Sequence, residues 1–158
     1  MKVLFVCLGN ICRSPTAEGV FKHFVESEGL SGIITSDSAG TSGHHDGGQA
    51  DSRSMHHAEL RGYQLASISR QIKVSDFFDF DLILTMDDSN FDKVIRLAIE
   101  IDADTEKVKK FTSYCQIHQI NEVPDPYYKG HDGFEEVLDI IEDGCQALLN
   151  EIKLNLKK

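Results

Sequence analysis

The sequence predicts a doubly wound α/β fold, a four-stranded parallel sheet with helices on both faces. Two observations carry this reading. The run Lys2–Cys7 (K-V-L-F-V-C) lacks the in–out alternation of a half-exposed strand and reads as one covered on both faces, as in parallel sheets. Short apolar runs then alternate with amphipathic segments along the chain, the signature of consecutive strand–helix units.

The elements follow in order. After the first strand comes the short stretch Leu8–Arg13, then Ser14-Pro15. Ser is a favoured N-cap and Pro suits the first helical position. Ala17, Val20, Phe21, Phe24 and Val25 then fall on one helical stripe that ends before Gly29. Gly32–Ser38 reads as a second strand, Asp51–Arg61 as a short helix closed by Gly62, and Ser75–Phe80 as a further helical turn. Asp81–Met86 (D-L-I-L-T-M) is a third strand, and Asp88-Ser89 caps a helix carrying Phe91, Val94, Ile95 and Ala98. Lys107–Phe111 is the fourth strand, and Gln119–Gly133 is a loop holding two of the three prolines. The last helix places Phe134, Val137, Leu138, Ile141, Cys145, Leu148, Leu149 and Ile152 on one stripe.

A chain of 158 residues and 17.7 kDa fits a single domain spanning 1–158. With 41% hydrophobic residues it can bury a core, and its net charge of −10 disfavours nucleic acid or an anionic membrane as partner. Any anion must be held by a local pocket. The longest apolar run, Val3–Leu8, is far short of the roughly 20 residues that span a bilayer. No secretory cleavage site follows Met1-Lys2-Val3, so a cytoplasmic location is expected. Cys7, Cys12, Cys115 and Cys145 form no C-x-x-C pair and are expected as free thiols.

The segment Cys7-Leu8-Gly9-Asn10-Ile11-Cys12-Arg13-Ser14-Pro15 contains C-x5-R. That spacing is weak alone. Its context is specific: a buried strand before it, Gly9 and Asn10 to allow unusual backbone angles, and a helix start directly after. A loop ending at a helix N-terminus directs several amides into one concavity and adds the positive end of the helix dipole. Arg13 adds a planar fork for two phosphate oxygens. The same field favours a thiolate at Cys7, to which Ser14 could donate a hydrogen bond. A nucleophile at the floor of a phosphate-binding loop suits phosphoryl transfer through a thiol ester. The G-K-[ST] ending of a nucleotide-binding loop is missing.

A leaving alkoxide or phenolate needs a proton, so an acid should face this loop. Val123-Pro124-Asp125-Pro126-Tyr127-Tyr128 supplies one: two prolines stiffen the chain around Asp125, and two tyrosines could line a slot for an aromatic group.

These residues closely resemble the low-molecular-weight protein tyrosine phosphatase family over essentially the whole chain. The resemblance is carried by Cys7–Pro15, Ser38-Ala39-Gly40-Thr41, Asp51 and Arg53, Arg70-Gln71, Met86-Asp87 with Asn90, and Asp125-Pro126-Tyr127-Tyr128. It implies hydrolysis of phosphotyrosine in proteins, and of small aryl phosphates, through a phosphocysteine at Cys7. Arg13 and the backbone of Leu8, Gly9, Asn10, Ile11 and Cys12 would bind the phosphoryl group, with Asn10 fixing the loop and Ser14 stabilising the thiolate. Asp125 would protonate the leaving tyrosine and then activate water, while Tyr127 and Tyr128 border the cleft. Cys12 would be the second loop cysteine implicated in reversible oxidation, and it shares the positive helix end with Cys7. No metal or other cofactor is implied, and a monomer is expected.

Two positions depart from the family's pattern. His44 stands where many members carry a cleft-wall Trp. Ser67 stands where many carry a His before A-R-Q that supports the loop Asn, so Ser67 or water is expected to take that role.

Three rival readings fit the sequence less well. An arginine phosphatase on the same fold would favour Thr where this chain has Ile11, whose apolar bulk suits an aryl ester. A thiol-dependent arsenate reductase needs relay cysteines, and residues 75–95 hold none. A non-catalytic phosphate-binding module would not need Cys7, Arg13 and Asp125 together. The pairs His44-His45 and His56-His57 complete no metal-ligand set.

Overall fold

The computed structural model describes residues 1–158. Four strands, β1 (Lys2–Cys7), β2 (Thr35–Gly40), β3 (Leu82–Thr85) and β4 (Val108–Lys110), form one parallel sheet in the order β2-β1-β3-β4. The helices are α1 (Arg13–Ser27), α2 (Ser52–Leu60), α3 (Asp76–Asp79), α4 (Asp88–Glu100) and α5 (His131–Leu156). No helix is long and apolar enough to cross a membrane.

Alternate residues of β1 feed two cores, as the two-residue strand period requires. Val3 and Phe5 join α1, α5 and part of α2 on one face. Leu4 and Val6 join α3 and α4 on the other. Phe5 meets Phe21 and Phe111 edge to face, at centroid distances of 5.6 and 6.1 Å. The apolar stripe of α5 is buried from Phe134 to Ile152.

Several boundaries differ from the sequence reading. The second strand is Thr35–Gly40 rather than Gly32–Ser38, because Ile33 and Ile34 donate to Leu30 O and close a turn first. The strand therefore runs on to Gly40, opposite Cys7. Ser14 does not cap α1. The helix begins at Arg13 with Cys12 at the cap, and Pro15 is tolerated because first-turn amides have no intrahelical acceptor. Asp87, not Asp88 or Ser89, caps α4, accepting from Asn90 N at 2.7 Å. The third and fourth strands are shorter than read, and α5 starts at His131, which trims the loop before it.

In the order β2-β1-β3-β4 the connection reverses direction at β1 and β3. Ligands in such sheets lie at that switch point, beyond the carboxyl ends of the strands. Cys7 ends β1 there, and Asp87 follows β3.

Candidate active site

Asn10 takes a left-handed backbone conformation with φ 56°, which bends the loop between β1 and α1. Its side chain then serves both sides of the bend. Nδ2 donates to Ser14 Oγ at 2.8 Å, and Oδ1 accepts from Arg70 N at 3.0 Å. Ser14 Oγ lies 3.1 Å from Cys7 Sγ and 3.3 Å from Ala39 O. This is why Ser14 is spent on the thiol rather than on a helix cap. The amides of Leu8 to Cys12 donate to no acceptor within the chain, so the loop presents a set of N–H donors to a bound anion.

Gly40 makes this geometry possible. A Cβ there would lie 2.7 Å from Leu8 O, 3.0 Å from Ser42 O and 3.1 Å from Asn10 N. Thr41 N donates to Cys7 O and Ser42 N to Leu8 O, both at 2.9 Å, and bind the loop to the end of β2.

Arg13 is 3% exposed. Its Nη1 donates to Asp87 Oδ2 at 2.7 Å and to Val123 O at 3.0 Å, leaving Nε and Nη2 with no hydrogen bond of their own. Burial opposes its charge, but a Cys7 thiolate and the Asp87 and Asp125 carboxylates outweigh burial and hold its pKa above the ordinary value. Asp125 Oδ2 lies 3.7 Å from Arg13 Nη2, and Asp125 is 44% exposed. Val123 N donates to Met86 O at 2.8 Å, anchoring the acid-bearing segment to the end of β3.

Cys7, Ile11, Arg13, Asp125, Tyr127 and Tyr128 all border one cavity of about 230 Å³, with Leu8, Gly9, Cys12 and His44 also on its wall. All eleven lining residues but one are positions read from the sequence. Asn10 and Ser14 stand behind the loop as its braces. No group of three or more His, Cys, Asp or Glu side chains has metal-holding geometry.

One expectation is corrected. Ser67 does not support the loop. The buried Ser69 does, donating from Oγ to Asn10 O at 2.6 Å. Cys12 sits at the N-cap of α1, yet burial pushes its thiol up to about 12, Ser54 opposes this by a hydrogen bond, and the nearby Asp51 charge adds to it. His44 lines the cavity, on the wall where the sequence places it. His45 also lines the cavity and sits over Gly9, where a Cβ would come within 3.1 Å of its ring. Sequence reasoning missed His45, Ser69 and the role of Asp87. Only Asp87 had a local signal, its place just after a buried strand.

A family model described as low molecular weight phosphotyrosine protein phosphatase matches residues 2–158. A low molecular weight protein-tyrosine-phosphatase of Streptomyces coelicolor is 42% identical over 154 residues, covering 96% of this chain and 93% of the relative. A crystal structure of a protein tyrosine phosphatase from Entamoeba histolytica, with Hepes in its active site, is 44% identical. It covers 98% of each chain with a TM-score of 0.93. The Drosophila arginine phosphatase structure is 34% identical, covering 97% of this chain and 98% of that one, with a TM-score of 0.91. With its fold, its loop of unpaired amides and a match along its whole length, the chain belongs to the low molecular weight phosphotyrosine protein phosphatase family.

Proposed function

We propose that residues 1–158 act as one domain, a monomeric cytoplasmic phosphatase that hydrolyses phosphotyrosine in proteins with Cys7 as nucleophile. The observation that carries this reading is the convergence of Cys7, Arg13 and Asp125 on one cavity. One chain supplies every residue of the site. The four cysteines are free, and a nucleophilic thiol needs a reducing compartment.

In the first step the Cys7 sulfur attacks phosphorus and an S–P bond forms. The P–O bond to tyrosine breaks, and its electron pair leaves on the phenolic oxygen. Asp125 gives that oxygen a proton. The loop amides and Arg13 hold the equatorial oxygens as charge redistributes. In the second step the Asp125 carboxylate takes a proton from water as the water oxygen attacks phosphorus. The S–P bond breaks, Cys7 returns as a thiolate, and inorganic phosphate leaves. Ser14, 3.1 Å from the sulfur, stabilises the thiolate at both ends of the cycle.

Ile11 on the cavity wall favours an aromatic over a guanidinium leaving group, because it offers no polar atom to the latter. The test is hydrolysis of phosphotyrosine, phosphoserine and phosphoarginine peptides without added metal, with phosphoenzyme trapping in the parent and in Cys7→Ser. Phosphotyrosine is expected to be preferred, with a trapped phosphoenzyme only in the parent. Near-normal turnover in Cys7→Ser would falsify the mechanism, and a preference for phosphoarginine would overturn the substrate assignment.

A further inference from the structure

The segment that carries Asp125 is held to the rest of the molecule at few points. Val123 anchors its start. Beyond it, Lys129 N donates to Pro126 O and Tyr127 N to Asp125 Oδ1, both within the segment. The 3.7 Å approach of Asp125 to Arg13 is too long for a hydrogen bond. One hydrogen bond ties residues 124–129 to another part of the chain: Arg53 Nη1 donates to Tyr127 O at 3.0 Å.

We propose that Arg53 is a positioning residue for the proton donor, tying the Asp125 segment to the phosphate-binding loop. This rests on the phosphatase reading above. Arg53 is itself held on both sides. Its Nε and Nη2 meet the two Asp51 carboxylate oxygens at 3.0 and 2.9 Å, a fork that fixes the guanidinium plane. That plane lies between two rings, 5.1 Å from the Tyr127 centroid and 4.9 Å from that of Phe134. Asp51 in turn donates its amide to Ile11 O at 2.8 Å, inside the phosphate-binding loop. A chain of hydrogen bonds therefore runs from the loop through Asp51, Arg53 and Tyr127 to Asp125. It sets the distance between the nucleophile and the acid, and Arg53 touches neither reacting atom.

This role has a kinetic signature. A displaced acid matters most where the leaving group is basic, because an activated phenolate departs without a proton. The experiment measures kcat/KM for aryl phosphates from 2,4-dinitrophenyl to phenyl phosphate. That parameter reports steps up to P–O cleavage and excludes hydrolysis of the phosphocysteine. The proteins are the parent, Arg53→Met, Arg53→Lys and Asp125→Asn, with orthovanadate inhibition and melting temperature read alongside.

In Arg53→Met, phenyl phosphate hydrolysis is expected to fall about 10-fold, and 2,4-dinitrophenyl phosphate hydrolysis less than about 3-fold. The leaving-group dependence should steepen toward that of Asp125→Asn, with vanadate inhibition within about twofold of the parent because the amide donors are untouched. Arg53→Lys, which keeps charge and stem but loses the fork, should fall between, and it decides the matter if Arg53→Met does not fold. An equal loss across the series or no loss would overturn the role and make Arg53 a structural or substrate-contacting side chain. A parent inactive on every aryl phosphate would instead overturn the phosphatase reading, and this inference with it.

Discussion

Gly40→Ala adds one methyl group beside Cys7. Gly40 pairs with Cys7 across β1 and β2, and the new Cβ would lie 2.7 Å from Leu8 O. That is about 0.7 Å short of ordinary van der Waals contact at 3.4 Å. The obstructing atoms at Leu8, Ser42 and Asn10 are all backbone, so no side chain can swing aside. Gly40 cannot retreat easily either, because Gly40 N donates to Arg70 O and Gly40 O accepts from Ile72 N, both at 2.8 Å. Overpacking of this kind costs about 1–3 kcal/mol, or roughly 2–12 °C in Tm for a chain of this size. The strain falls on the loop that aims Cys7, and a misplacement of about 1 Å can cost about 100-fold in rate. Scaled to several tenths of an ångström, kcat/KM for 4-nitrophenyl phosphate should fall at least about 10-fold. Steady-state kinetics and thermal melting measure both quantities on one preparation. If activity stays within twofold and Tm within 1 °C of the parent, the close approach does not hold the loop and the reasoning fails.

Two other substitutions probe independent features. Ser69→Ala removes the 2.6 Å bond to Asn10 O and leaves that carbonyl short of a partner. It should cost about 1–3 kcal/mol and lower kcat, whereas Ser67→Ala should do neither; the reverse ranking would restore Ser67 as the brace. Asp143 accepts from the amides of Gln116, Ile117 and His118 at 3.0, 3.1 and 2.8 Å. Burial alone would raise its pKa, but these amides and the His118 ring outweigh burial and hold it below the ordinary carboxylate value. Its stabilisation is therefore present above the unfolded value of about 3.9 and lost as pH falls through the lower folded value. Asp143→Asn should destabilise markedly at pH 7 and much less at pH 2.5, as read by urea melts, and a pH-independent loss would contradict this.

The parts of the molecule legible in the sequence are those built from local pattern. β1 is an unbroken apolar run and α5 carries a clear helical stripe, and both lie within about a turn of where the sequence places them. β2 was displaced because its first half, Thr35 to Asp37, is polar and partly exposed at the sheet edge, so no apolar run marks it. The same divide runs through the site. Cys7, Arg13 and Asp125 sit in short motifs with their own punctuation of Gly, Ser and Pro. Ser69 meets Asn10 from 59 positions away, and Arg53 meets Tyr127 from 74. Such pairings are created by the sheet order, which no local window contains. Ser67 and Ser69 are alike in residue type, and only the burial of Ser69 separates them.

The amides of Leu8 to Cys12 have no acceptor of their own, and this bears on more than turnover. A phosphate held by those amides binds the folded chain and not the unfolded one, so mass action makes the reaction product a stabiliser. At 100 times its dissociation constant such an anion contributes about 2.7 kcal/mol, which for a chain of this length is roughly 5–11 °C. The melting temperature is thus a property of the buffer as well as of the sequence. On the proposed binding mode, phosphate, sulfate or arsenate in solution should lend the fold a firmness that dialysis removes, and the same anions should compete with substrate for the loop. Resistance to heat and inhibition by product are two readings of a single equilibrium, and a change that weakens one at this loop weakens the other.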